Sequence, residues 1–188
     1  MNWLVIDETY LNYLRQKESK ITNSNYGKDK YKPFFGILFE TDKYYYVTQI
    51  SHAQPRHQNM KNNKDFKKIY NPKDNRLLAV VNLNYMFPIL KSQKEILKYK
   101  DIGMHRSFDS ELEKSKYIDL LKTEISVLSS MNLEKAAKNV YENKYTKKDK
   151  DLAERSFDFK QLEQYADDYL LLQLKIQDNI TNTQEQEN

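Results

Sequence analysis

Apolar positions along the first hundred residues come in short alternating or continuous stretches. Beyond Ser107 they recur every three or four residues, so a strand-rich half precedes a helix-rich one. Met1 to Ile6 predicts a short strand, and Tyr10, Leu11, Tyr13 and Leu14 put a helix over Glu8 to Gln16. The aromatic and β-branched runs Phe34 to Glu40 and Tyr44 to Ile50, parted by Thr41, Asp42 and Lys43, read as a hairpin. Lys67 to Tyr70 and Leu77 to Leu83 form a second hairpin around the turn Asn71 to Asn75, and Phe87 to Leu90 adds a strand after a bend near Pro88. Two polar stretches interrupt them, residues 18–33 with Gly27 and a closing Pro33, and residues 51–65. Both read as loops, and loops of this length in a small domain are often functional.

In the second half Leu112, Ile118, Leu121, Ile125 and Leu128 form one apolar stripe. Ser107 is the expected cap, with Asp109 and Glu111 in the first turn. Helices follow over Leu133 to Tyr145 and Phe157 to Leu174, and residues 176–188, rich in Asn, Thr, Gln and Glu, are expected to be disordered. Strands first and helices later predict an α+β fold. Residues 1–175 form a single domain in this reading.

Composition narrows the chemistry. The chain of 188 residues has no cysteine, which removes disulfides, thiolate catalysis and Cys-based metal sites. Its start, MNWLVIDETY, lacks signal-peptide character, and no apolar run is long enough to cross a bilayer, so a cytoplasmic protein without membrane contact is expected. The net charge of +4 conceals an asymmetry, because residues 19–76 hold twelve basic and five acidic side chains. The same segment contains Tyr26, Tyr31, Phe34, Phe35, Tyr44, Tyr45, Tyr46, Phe66 and Tyr70. Cations mixed with aromatics suit single-stranded RNA, and they equally suit a solvated basic face over an aromatic core.

With three glycines and no phosphate-cradling loop, no nucleotide cofactor is expected, and the three histidines lack metal-ligand spacing. Asp7, Glu8 and Glu40 are the only acids that suggest a rival magnesium site. The densest reactive cluster is Ser51, His52, Gln54, Arg56 and His57, where a strand runs into a basic loop. Cleaving RNA without a metal requires a base for the 2′-hydroxyl, charge for the phosphorane and an acid for the leaving oxygen, and this cluster offers all three. The same residues also fit an ordinary polar loop with surface histidines. A second cluster, Tyr26, Lys28, Lys30 and Lys32, precedes the strand at Phe34, and hairpin pairing brings Lys32 close to Ser51. Tyr31, His57, Lys61, Lys64, Lys67 and Lys68, with Lys28 and Lys30, complete the expected RNA-binding surface.

At these residues the chain resembles the ToxN/AbiQ-like family of type III toxin endoribonucleases. The resemblance rests on WLVIDETYLNYL, KPFFGILFE, YYYVTQISH and FKKIYNPKDNRLLAVVNLNYMFPIL, of which NLNYMFPI is the most specific, and it covers roughly residues 1–172. It implies a strongly twisted antiparallel sheet with packed helices. The implied activity is metal-independent RNA cleavage by 2′-hydroxyl attack, leaving 2′,3′-cyclic phosphate and 5′-hydroxyl ends. The implied partners are a repeated pseudoknot antitoxin RNA, which the toxin processes and which inhibits it, and cellular and phage RNA substrates. A closed toxin–RNA hetero-oligomer is one form the complex could take. By position the family's catalytic hydroxyl falls on Ser51, its lysine on Lys32 and its loop tyrosine on Tyr26. One departure stands out: where the family has a second hydroxyl and then a lysine, this chain reads His52, Ala53, Gln54, Pro55 and Arg56, which leaves His52 or Arg56 to take the lysine's role. The alternative is a non-catalytic RNA-binding module using the same surface.

Overall fold

A computed structural model describes the backbone of residues 1–186 and the side chains of residues 1–180. Its strands are β1 (Asn2–Val5), β2 (Phe34–Gly36), β3 (Tyr44–Val47), β4 (Ile50–His52), β5 (Phe66–Tyr70), β6 (Leu77–Asn82), β7 (Phe87–Leu90) and β8 (Glu95–Ile96). Among the described residues the helices are α1 (Glu8–Lys17), α2 (Pro55–Asn59), α3 (Ile102–His105), α4 (Glu111–Ser130), α5 (Leu133–Thr146), α6 (Lys150–Arg155) and α7 (Phe159–Gln186). The expected α+β order holds, with every strand pairing antiparallel. Three small sheets stand where one was expected, in the orders β2-β1-β8, β3-β7 and β4-β6-β5.

The division arises because Tyr44 to Ile50, expected as one strand, changes partner midway. Tyr44 to Val47 pair with Leu90 to Phe87, while Ile50 to His52 pair with Val81 to Ala79. Between them Thr48 and Phe35 exchange backbone hydrogen bonds of 2.8 and 3.1 Å, so the expected first hairpin survives, but β2 ends at Gly36 rather than Glu40. A Cβ at Gly36 would lie 3.0 Å from Val47 Cγ1 and 3.3 Å from the Tyr46 carbonyl, and glycine therefore permits this close crossing. The second hairpin forms as expected. Asn75 takes φ 56° in its turn, a conformation that asparagine tolerates.

Helices lock these sheets together through polar ends of aromatic side chains. Tyr10 of α1 donates to the Pro88 carbonyl at 2.8 Å, Trp3 Nε1 of β1 donates to Leu121 O of α4 at 2.9 Å, and the Tyr44 and Tyr46 hydroxyls reach Asp167 and Glu163 of α7 at 2.6 and 2.8 Å. Each buries a large ring and satisfies its polar tip at once. Asp65, which is buried, takes two bonds from Arg155 at 3.0 and 2.8 Å and so fixes α6 beside β5.

Two expectations about helices are corrected. Ser110, not Ser107, caps α4, its Oγ accepting from Glu113 N at 3.2 Å, because the chain at Ser107 is still held by Lys28 O. Residues 51–65 contain α2, opened by Pro55 in the first turn, where its fixed φ and missing N–H cost nothing. The helix over Phe159 runs on to Gln186, and residues 176–186 contain no glycine or proline to stop a helix propagated from the packed first turns; the end of the tail expected to be disordered, residues 187–188, lies outside the described residues.

The segment between α1 and β2 has little secondary structure and is held by Gln49, whose Nε2 donates to Lys32 O at 2.7 Å and Asn23 O at 2.9 Å. Gln49→Ala is expected to cost roughly 1–2 kcal/mol of stability. Limited proteolysis should then cut residues 22–32 faster than in the wild type, and an unchanged rate would show that Gln49 does not hold the loop.

Candidate functional site

The loop held by Gln49 forms one wall of a cavity of about 520 Å³, within the range of small-molecule sites. Trp3 of β1, Ile50 and His52 of β4, and Tyr117, Leu121 and Glu124 of α4 supply the other walls, with Arg106 from the segment before α4. On α4 these residues fall at intervals of three and four, so one helix face lines the opening. Tyr26, Lys30, Tyr31 and Lys32 line it from the loop.

The structure thus brings Tyr26, Lys30, Tyr31, Lys32 and His52 together, five residues that the sequence singled out. Lys32 Nζ sits 5.5 Å from the centre of the Tyr26 ring. His52 is exposed at the mouth, and partial burial, followed by the positive charges of Lys32 and Arg106, lowers its pKa below the ordinary histidine value. Its imidazole is therefore neutral near pH 7 and able to accept a proton. Burial raises the Tyr26 pKa, so the phenol stays protonated as a donor.

Ser51 is placed differently. It is exposed, and strand alternation turns it to the face of its partner Val80 and of Lys68 beyond, opposite to the face of Ile50 and His52. Phe35 and Thr48 form an isolated bridge and the Lys32 carbonyl accepts from Gln49 Nε2, which keeps the Lys32 backbone beside the start of β4, an edge strand of its sheet. Arg56 is exposed on α2, outside the cavity lining.

His57 has another task. It is buried, its Nδ1 accepts from Gln54 N at 3.1 Å to close the start of α2, and its ring lies 6.0 Å from that of Phe66. Burial and the neighbouring charges of Arg56 and Lys68 lower its pKa. Among the remaining expected RNA ligands, Lys64 pairs with Asp149 at 2.8 Å, Lys67 Nζ donates to Asn63 O at 2.6 Å and Lys68 Nζ to Gln58 O at 2.8 Å. Lys64 and Lys67 line a second, polar groove against α5. Lys28, Lys30 and Lys61 are exposed and carry no ion pair among the described residues. Of the acids that suggested magnesium, Asp7 accepts from Tyr10 N at 2.9 Å as the cap of α1, and Glu40 pairs with Lys91 at 3.3 Å.

Sequence reasoning missed Arg106, Tyr117 and Glu124. The Arg106 guanidinium packs 4.5 Å from the centre of the Tyr117 ring and 4.9 Å from that of Phe108, and donates to Glu113 at 2.7 Å. A lone glutamate within an apolar stripe was the available signal for Glu124, which is 1% exposed, and burial pushes its pKa up to about 8.

None of the curated proteins matches the chain in sequence. The fold recurs in solved structures, each about as long as this chain and 20% identical to it over 89% of its length. One comes from a bacterial antiviral system regulated by a processed non-coding RNA (TM-score 0.71, 98% of that chain). Another is AbiQ, a lactococcal anti-phage endoribonuclease of a type III toxin–antitoxin system (0.70, 96%), and a third is from a type III system in which a non-coding RNA pseudoknot selectively inhibits the toxin (0.69, 96%). Residues 2–167 match the family model for the toxin ToxN of type III toxin–antitoxin systems, and since that span contains every strand and every helix up to the first turns of α7, the chain belongs to the ToxN family.

Proposed function

We propose that this protein is an endoribonuclease toxin that cuts RNA at the mouth of the cavity and is inhibited by its own antitoxin RNA. The observation that carries the reading is the convergence of a neutral histidine, a lysine and a protonated tyrosine on one opening beside a basic loop. His52 takes the proton of the 2′-hydroxyl as its oxygen bonds to phosphorus. The Lys32 ammonium balances the charge growing on the phosphorane. Tyr26 then gives its proton to the 5′-oxygen as the P–O5′ bond breaks, leaving a 2′,3′-cyclic phosphate and a 5′-hydroxyl. Ser51, on the other face of β4, and Arg56, exposed on α2, hold the phosphate backbone as it crosses, and in this reading His52 stands in for the family lysine. Type III membership and the inhibitory RNA pseudoknot of a structural relative support an antitoxin RNA as the partner.

End-group analysis is the first test: cleavage is expected to persist in excess EDTA and to leave cyclic phosphate ends. A magnesium requirement with 5′-phosphate products would refute the mechanism.

The pH profile tests His52. A base works only when neutral, so activity should fall as pH drops through the lowered His52 pKa and reach a plateau by neutral pH. His52→Ala should slow cleavage by about 10² to 10⁴ and remove the acid limb, whereas Ser51→Ala, which loses one contact to the phosphate backbone, should slow it by roughly tenfold and keep that limb. An unchanged acid limb in His52→Ala would assign the base elsewhere.

Salt dependence tests the surface. Each phosphate contact on a single strand contributes about −0.7 to the log–log slope of affinity against salt. Lys28→Ala, Lys30→Ala and Lys32→Ala should therefore flatten the slope for substrate and antitoxin alike, while Lys64→Ala, already paired with Asp149, should change it least. Simultaneous binding of both RNAs in a competition assay would rule out a shared surface.

A further inference from the structure

Among the described residues, three buried side-chain polar atoms lack a hydrogen-bond partner: Tyr31 Oη, Arg106 Nε and Glu124 Oε1. All three residues line the same cavity. Buried polar groups are ordinarily satisfied, so three orphans around one space indicate that something absent from the folded chain completes them. The cavity is also polarised by depth. Glu124 and Trp3 are 1% and 2% exposed, whereas Tyr26 and His52 stand exposed at the mouth and Lys32 is half-buried beside them.

We infer that the cavity is a base-reading pocket, in which one unpaired nucleobase of the RNA strand enters edge-on and hydrogen-bonds Glu124, making Glu124 a specificity-determining residue. The inference rests on the ribonuclease reading, since it takes the phosphate at the mouth to be the scissile one. A base is flat and apolar on both faces with donors and acceptors only at its edge. The space offers the matching pattern, with Trp3, Pro33, Ile50, Leu120 and Leu121 as apolar walls and orphaned polar atoms within. Charge balance inside the cavity agrees: with no cation bonded to it, a buried Glu124 carboxyl is held neutral, and a neutral acid presents one donor beside one acceptor. That pair is what a base edge answers. A purely structural role explains the glutamate poorly, since an apolar side chain of similar size would fill the helix stripe without an unmet hydrogen bond.

Trp3 is the only tryptophan and lines the pocket, so its fluorescence reports occupancy directly. Titration with the four nucleoside 3′-monophosphates should give saturable changes, with one base bound at least ten times more tightly than the weakest; a well-placed pair of base contacts discriminates by roughly tenfold to a hundredfold. Ribose 5-phosphate should not produce the change. Glu124→Gln, which keeps a donor and an acceptor, should retain the preference, whereas Glu124→Met should lose it while melting at a higher temperature than the wild type. Equal response to all four nucleotides, no response to any, or an unaltered preference in Glu124→Met would each overturn the inference. Cleavage of a mixed-sequence RNA by the wild type is scored separately. Cleavage without base-selective binding refutes the pocket alone, and selective binding without cleavage refutes the nuclease reading alone.

Discussion

The Gln49 side chain is where the architecture and the candidate site meet. Its amide reaches the carbonyls of Lys32 and Asn23 from the two residues, Thr48 and Gln49, at which the chain leaves the β3-β7 sheet and joins the β4-β6-β5 sheet. The polar loop between α1 and β2 carries four lysines and docks through only Ile21 and Tyr31 among its larger apolar side chains, and backbone carbonyls bonded to a fixed side chain supply further attachment. Without the change of sheet, Gln49 would point along a continuous strand. With it, β4 presents a free edge, the loop lies beside that edge, and Lys32 is delivered to His52.

The helical half completes what the strands begin. Trp3 bonds α4 through Leu121, and one turn on, α4 turns Glu124 into the cavity that Trp3 also lines. The basic segment therefore supplies the mouth, and the helix supplies the interior. Arg106 links the two, since its charge lowers the His52 pKa from one side while its guanidinium packs on Tyr117 of α4 from the other. Any shift of α4 relative to β1 would alter both the depth of the cavity and the electrostatics at its mouth.

Much of this was legible in the sequence because it was local. Period-two and period-3.6 patterns located the elements, and hairpin pairing alone brought Lys32 to the end of the strand at Ser51, where Tyr26, Lys32 and His52 do share an opening. What was missed depended on tertiary context. The break at Thr48 and Gln49 leaves no mark in a run as β-prone as YYYVTQI, because both halves are ordinary strand and only the partner changes. His57 looked like a surface ligand because polar loops usually are exposed, but α2 folds it inward against Phe66. The lysines of residues 64–68 counted equally by charge, yet the structure commits all three to an aspartate or a carbonyl.

The adjacency of Ser51 and His52 shows why reading roles by position alone is hazardous on a strand. Neighbouring residues leave a strand on opposite faces, so one position of register decides which of two chemically able side chains meets the cavity. Here the register is fixed from both directions: Ile50 must sit on the buried face with Val81, and Phe35 is tied to Thr48 across the strand's other flank. Ile50 and His52 then share the face that lines the cavity, with His52 exposed at its mouth, and Ser51 is left on the opposite face. An RNA strand crossing that edge would meet the imidazole on one side and the hydroxyl on the other. Ser51, which fits the family pattern, and His52, which departs from it, are thus separated by the β4 backbone, and that separation determines how the work of the site can be divided.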